Sequence, residues 1–554
     1  MPAQQRSPKQ AHPHVVAGNG AMPPLALPDP AAAAPVHHRI HAASMAMLVL
    51  LVLAVAASLS FLSQSFSSTM TTTTTTSHGH LVLSASRMAH GEQRLMPKCR
   101  LSAAECERAL LSVLENERRV LQASYAVPLD NFVSLAAPPR ELAARLTEAY
   151  YGRPAPFVIG VTGGSSSTFN FSWPALVTAW LSTRLHVTVE LRNAAQGSTS
   201  SLAQAACIAP LVGDDVDLLF WEFAMNEEAT RANATATRAD MFVHHVEAFL
   251  RQAIELGVPA VAFVYIWEGA IAGMRHRAMN ASRWLPDALY PALLGLLRAY
   301  AGAHGGLLAM DAVRMIASQG VVANFSAVLE DGHHPSRAGF KFIADLVAHA
   351  LLRAWIDGLQ PVPYRAPQPL DGVPVRSSPA ASLGLLPQQA SRAHCFTTRV
   401  PRFGDARNSV VAAAPLPRAV NVGKSSVFRA DRTLYLELPR CAGKGGLALR
   451  LHSRRGGALS LVLVGCGKLR RCPRALAVFV NGARLAHNVP RLSQSAYRVH
   501  FGFAHRLNAS APRPVHTFEL CRTAENDDAD DDAATASPTP ARKVFFERLV
   551  VVER

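Results

Sequence analysis

Residues 157–167 read FVIGVTGGSSS, six mostly apolar residues rich in β-branched side chains followed by five small ones. A strand buried on both faces shows as a continuous apolar run, because neither side of its pleat meets water. Four further runs repeat the pattern, at 186–191 (HVTVEL), 216–221 (VDLLFW), 260–266 (AVAFVYI) and 307–311 (LLAMD). Between them lie stretches long enough for helices, at 173–184, 202–211, 236–256 and 285–303, and 337–355 closes the set. Strict alternation of strand and helix predicts a parallel sheet covered on both sides. The expected fold over residues 150–357 is therefore a three-layer α/β/α, flavodoxin-like domain.

In such sheets ligands sit at the carboxyl ends of the strands, so the loops there are where chemistry is expected. The first strand runs into Gly163-Gly164-Ser165-Ser166-Ser167, and the second into Asn193-Ala194-Ala195-Gln196-Gly197-Ser198. The third ends in Glu222-Phe223-Ala224-Met225-Asn226-Glu227, and Asp331-Gly332-His333-His334 precedes the last helix. Taken singly each loop is an ordinary polar turn. Their order and spacing together carry the signal.

Those four loops resemble the blocks of the SGNH hydrolase superfamily, the GDSL-type esterases and lipases, over about 200 of the 554 residues. The family's Gly-Asp-Ser block reads Gly163-Gly164-Ser165 here, its glycine block is matched by Gly197, and its G-x-N-D block by Asn226 followed by Glu227. The D-x-x-H block is matched by Asp331 and His334, with His333 as the alternative base. The resemblance implies Ser165 as nucleophile, His334 as the base that takes its proton, and Asp331 as the group that orients the imidazole. The candidate oxyanion donors it implies are the backbone N–H groups of Ser165 and Gly197 and the amide of Asn226. Two acidic residues of the family pattern are missing, and Glu227 is expected to replace one of them in part. Glu222, Trp267 and Glu268 end the third and fourth strands, where substrate walls are expected.

The N-terminus sets the compartment. Residues 1–41 are rich in Pro, Ala, Gln and His and read as a disordered cytoplasmic tail. Residues 42–62 (AASMAMLVLLVLAVAASLSFL) hold 21 residues without a charge, and about 20 suffice for a membrane-spanning helix. Arg6, Lys9 and Arg39 precede the segment and the next charge after it is Arg87, which predicts an uncleaved type II signal anchor. A cleavable signal peptide is the rival reading, against a leader already some 40 residues long. Residues 63–100, with Thr71 to Thr76 unbroken, read as a stem, and residues 101–149 as a helical lead-in. The remainder is expected in the secretory pathway, Golgi or cell surface. Five glycosylation sequons, at Asn170, Asn233, Asn280, Asn324 and Asn508, agree with that placement, as do eight cysteines. Cys99 with Cys106 and Cys466 with Cys472 are close enough to bridge locally, and neither pair has zinc-finger spacing.

Residues 358–392 read as a Pro-rich linker. Residues 393–554 read as a β-sandwich-like domain with strands near 433–438, 447–451, 458–464, 476–480 and 543–552, a hairpin at Asn481-Gly482, and a solvated acidic loop at 525–532. The net charge of +16 is concentrated there: residues 390–554 hold 27 Lys+Arg against 12 Asp+Glu, a difference of +15, whereas residues 1–389 hold 28 against 27. A luminal basic domain without a nucleic-acid motif argues against nucleic acid as partner and for an anionic polysaccharide or membrane surface.

The leading expectation is a membrane-anchored ester hydrolase acting on acyl esters of glycans, without metal or organic cofactor. A polysaccharide O-acyltransferase using the same groups, and an inactive carbohydrate-binding relative, are the alternatives.

Overall fold

The computed structural model describes residues 102–169, 171–197, 199–205, 207–227, 238–266, 289–318, 328–330, 334–361 and 368–376, and beyond them chiefly the strands between 393 and 553. All belong to the unit spanning Arg87–Arg554. The 42–62 segment, the stem and all five sequon asparagines lie outside the described residues. Among the described residues no helix is long and apolar enough to cross a membrane.

The central sheet has six strands: β1 (Val133–Leu135), β2 (Phe157–Gly163), β3 (Val189–Asn193), β4 (Leu218–Glu222), β5 (Val261–Tyr265) and β6 (Leu307–Asp311), in the spatial order β1-β6-β5-β4-β2-β3. From β2 to β6 the pairing is parallel throughout. Numbered among themselves, those five strands have the order 2-1-3-4-5 of flavodoxin-like sheets. Every residue of β2, β4, β5 and β6 is buried, as their apolar runs require.

The sheet is mixed, which corrects the expectation of a purely parallel one. The sixth strand, β1, pairs antiparallel with β6 through Val133↔Met310 and Leu135↔Leu308. It comes from the lead-in expected to be helical. Three residues (VSL) are too short for a periodic signal, and only pairing with β6 makes them a strand.

Two other elements differ from expectation for local reasons. Pairing of β3 starts at Val189 rather than at 186, because His186 takes a left-handed backbone (φ 52°) that turns the chain first. The helix expected at 202–211 is two short ones, Ser201–Ala205 and Ile208–Val212. The chain turns at the junction through Cys207, whose N–H bonds the Gln204 carbonyl at 2.9 Å.

Helices gather in two sets on the sheet. The long helix Arg337–Leu359 packs with Ala103–Gln122, Arg140–Tyr150 and Trp173–Arg184, while Arg238–Glu255 packs with Ser201–Ala205 and Leu289–Tyr300. Trp173, Trp221 and Trp355 are fully buried in the core between them. Part of the expected linker is attached to this domain: the Arg251 side chain donates to the Val373 carbonyl at 2.7 Å, and the Gln368 N–H to the Gly302 carbonyl at 2.7 Å.

Beyond the linker the described strands are antiparallel, in two sheets of five strands and one of three. The strands on either side of the expected hairpin pair, Val480 with Ala483, and Asn481 stands at φ 50°. Cys207 is disulfide-bonded to Cys395, the middle residue of the first strand of this region, Ala393–Thr397. Cys106 and Cys521 are also disulfide-bonded; Cys99 and Cys472, called on in the expected local bridges, lie outside the described residues.

Candidate active site

The strand order reverses between β2 and β4, and the loops leaving the carboxyl ends of β2, β3 and β4 meet there. Immediately after β2 the chain tightens into a 3-10 turn, Ser165–Ser167. The Ser165 carbonyl accepts from the Thr168 N–H at 3.0 Å and the Thr168 hydroxyl at 2.8 Å, which closes the turn. Ser165 Oγ lies 2.8 Å from His334 Nε2, and both side chains are buried.

His334 is carried by a short loop held at both ends. Leu329 bridges to Pro335, the Glu330 N–H donates to the His334 carbonyl at 2.9 Å, and the Ser336 N–H donates to the Val328 carbonyl at 2.8 Å. Ser336 then caps the long helix by accepting from the Gly339 N–H at 3.2 Å. Phe169 stands edge-on to the imidazole with ring centroids 5.5 Å apart, and Phe171 and the buried Phe340 continue the cluster. Arg337, exposed at the rim, lies over the Phe171 ring at 5.4 Å.

The loop after β3 is fastened to β2 and to the serine turn by three hydrogen bonds. The Ala194 N–H donates to the Val161 carbonyl and the Gln196 N–H to the Gly163 carbonyl, each at 2.8 Å, and the Asn193 amide donates to the Ser167 carbonyl at 2.6 Å. Gly197 is buried one residue beyond this fastening.

After β4 the chain enters a short helix, Ala224–Glu227, which presents Asn226. Its Nδ2 is buried without a hydrogen-bond partner among the described residues. That amide also occupies the space that a side chain at position 164 would enter. A Cβ on Gly164 would stand 2.3 Å from Asn226 Nδ2. The Gly164 backbone, φ −85° and ψ −162°, is open to any residue, so a side chain at this position is limited by the Asn226 amide, which would have to move aside, and not by conformation.

Glu222, expected as a substrate wall, is instead fully buried beneath the serine turn. The Gly164 N–H is shared between the Glu222 main-chain oxygen at 2.7 Å and Oε2 at 3.2 Å, and the Ser167 hydroxyl donates to Oε2 at 2.8 Å. Trp173 Nε1 in turn donates to Ser167 Oγ at 3.1 Å. Burial raises the Glu222 carboxyl to about 8, against the lowering effect of those two donors. In register Glu222 faces Gly163, and a Cβ there would meet the Glu222 carbonyl at 2.9 Å.

Glu227 is buried as well and has a different task. It accepts from the backbone N–H and hydroxyl of Ser201, both at 2.5 Å, and pairs with His245 Nδ1. It thereby fixes the start of the helix that follows the Gly197 loop. Next to it His244 is held neutral, its pKa lowered to about 3 by burial and by His245.

Ser165, His334 and Asn226 thus meet around one turn, with the Gly197 loop fastened beside it; Asp331, His333, Trp267 and Glu268 lie outside the described residues. Among the described residues no group of His, Cys, Asp and Glu is arranged to hold a metal ion. The roles of Glu222, Ser167 and Phe169 were missed in the sequence, where the one available signal was a carboxylate closing the otherwise apolar run LLFWE. A serine hydroxyl bonded to an imidazole, with an unpaired amide nearby, is equipped for acyl transfer.

The sequence matches no protein-family model and no curated protein. Among solved structures, a two-domain esterase active on acetylated mannans is similar at 15% identity and TM-score 0.43, over 77% of this chain and 98% of that one. An acetyl xylan esterase is similar at 16% identity and TM-score 0.28, over 34% and 97%. A lipase/acylhydrolase from Enterococcus faecalis is similar at 15% identity and TM-score 0.26, over 35% and 95%. In its own strand order, and in the loops that meet at Ser165, this chain resembles the SGNH hydrolases, as its sequence motifs imply.

Proposed function

We propose that the protein is a carboxylic ester hydrolase of the SGNH type acting on acyl esters of glycans. Ser165 is the nucleophile, His334 the general base and Asp331 the residue that orients the imidazole. The observation that carries this reading is the 2.8 Å contact between Ser165 Oγ and His334 Nε2 at the point where the strand order reverses.

The neutral imidazole accepts the Ser165 proton as Oγ bonds to the ester carbon. The carbonyl π pair moves onto oxygen, toward the N–H groups of Ser165 and Gly197 and the unpaired Asn226 amide. Collapse of this adduct expels the alkoxide, which takes its proton from the imidazolium. Water then repeats the sequence on the acyl-serine and releases the acid.

Because the same imidazole protonates the leaving oxygen, the alcohol half of the ester lies beside His334. Phe169 and Phe171, half-buried there, offer an apolar face for the C–H side of a sugar ring. A luminal setting supplies such substrates. Its support is the uncharged 42–62 segment with cationic residues on its N-terminal side, which anchors the chain as a type II protein. The C-terminal region is a basic β-sandwich-like domain that meets anionic polysaccharide or membrane; two five-stranded antiparallel sheets and the charge excess support this.

The test is release of free acid from acylated polysaccharides by the purified protein and by Ser165→Ala. Release by the wild type that is lost in the variant is expected; equal release by both overturns the nucleophile. A labelled acyl donor offered with a sugar acceptor separates hydrolysis, with label in free acid, from transfer, with label on the sugar.

A further inference from the structure

The carboxyl that the family motif places directly before the serine is absent here, and its position is closed by Asn226 Nδ2, 2.3 Å from where a Gly164 Cβ would stand. Another carboxyl reaches the same turn from the neighbouring strand. Glu222 Oε2 accepts from the Gly164 N–H and from Ser167 Oγ, two of the groups flanking Ser165 in the chain. Trp173 Nε1 completes the chain of donors. We propose that Glu222 is the positioning residue for the nucleophile turn, and that it works as the neutral acid.

The geometry favours the acid form on its own terms. Glu222 is wholly buried, its Oε1 has no partner among the described residues, and the donors that reach Oε2 are one backbone N–H and one neutral hydroxyl. From β2 it faces Gly163 and Gly164, from the turn Ser167, and from the helix start Trp173 through Ser167, none of them charged. Among the described residues His334 is the other titratable group bonded to this turn, through Ser165. A burial-raised pKa of about 8 agrees. Ionisation puts an uncompensated negative charge under the loop whose N–H groups face the developing oxyanion, and like charges at short range in a closed site oppose that transition state.

The inference rests on the proposed Ser165 chemistry and is tested by kcat and KM between pH 6 and 10 for the wild type, Glu222→Gln and Glu222→Ala. In the wild type kcat is expected to fall above about pH 8, approaching about tenfold per pH unit. Glu222→Gln keeps a neutral acceptor for Gly164 and Ser167, so it retains the neutral-pH rate within about fivefold and loses the alkaline fall. Glu222→Ala frees the turn and lowers kcat on the order of 100-fold with little change in KM. An alkaline fall shared by the wild type and Glu222→Gln, or a wild-type kcat in Glu222→Ala, overturns the proposal. If Glu222→Ala does not fold, the glutamine profile still decides. Turnover that survives Ser165→Ala instead sinks the nucleophile assignment, a separate outcome.

Discussion

Two buried serine–histidine groupings lie in the α/β domain, and they differ in the order of their hydrogen bonds. At the first, Ser165 Oγ meets His334 Nε2 directly. At the second, Ser201 meets the Glu227 carboxylate, which separates it from His245. An imidazole next to a hydroxyl can take its proton and later return it, whereas a carboxylate in that place holds the hydroxyl as a donor and leaves the histidine unable to reach it. Residue types alone do not distinguish the two. The sequence of contacts fits the first to the proposed chemistry and the second to holding the loop that carries Gly197.

The largest expected effect falls on the first grouping. Ser165→Ala and His334→Ala each lower kcat by roughly 10⁴- to 10⁶-fold, and the double variant is scarcely worse, because residues acting as one unit are not additive. Ester-hydrolysis kinetics on the three proteins checks this. Fully additive losses would separate the serine from the histidine.

The next effect concerns the space between Gly164 and Asn226. Gly164→Ala is compatible with the backbone but displaces the Asn226 amide, the far end of a side chain that can rotate away. We expect a kcat loss of about 10²- to 10³-fold, as for removal of one oxyanion donor, with thermal stability nearly unchanged. Asn226→Ala gives a similar loss. Since the first substitution acts through the second residue, combining them adds little; a double variant showing the product of the two losses would place the glycine effect elsewhere.

The two buried glutamates extend the contrast to stability. Glu227 meets a histidine and two Ser201 donors, whereas no charged group bears on Glu222 among the described residues. The folded-state pKa of Glu222, about 8, lies above its ordinary 4.5. The folded protein therefore holds a proton that the unfolded chain releases between these values, and stability falls as pH rises through that window and levels off above it. Glu222→Gln carries no such proton. Its melting temperature relative to the wild type should rise by a few degrees from pH 5 to 8, and a difference that is flat with pH would mean that Glu222 is ionised throughout.

Much of this site was legible because three of its four loops follow strands, so position along the chain reported position at one end of the sheet, while His334 was legible from its place just before the last helix. FVIGVT ran into Ser165 and LLFW into Asn226 with boundaries off by a residue or two. Glu222 was misread as a wall because a carboxylate at a strand end normally reaches water, and its true direction depends on pairing with Gly163, which leaves an empty side-chain position beneath the turn. The Cys207–Cys395 bridge joins residues 188 apart, and spacing carries no information at that distance. β1 was invisible for the opposite reason: three residues hold too few side chains to show a period.

The smallest effects belong to the second grouping, and they carry the contrast between the two. Ser201→Ala removes one hydroxyl from a carboxylate that keeps the Ser201 N–H and His245, so a loss of roughly 1 kcal/mol of stability is expected. His245→Leu leaves that carboxylate buried with fewer donors and should cost roughly 1.5–3 kcal/mol, the range for hydrogen bonds to a charged group. Denaturant unfolding of both variants measures these values, and kcat at a temperature where both remain folded measures the other half. Because Ser201 and His245 act on the active site only by fixing where the Gly197 loop ends, kcat should stay within about tenfold of the wild type. A collapse of kcat in Ser201→Ala comparable to that in Ser165→Ala, at near-native stability, would mean that the carboxylate-centred grouping is the reactive one.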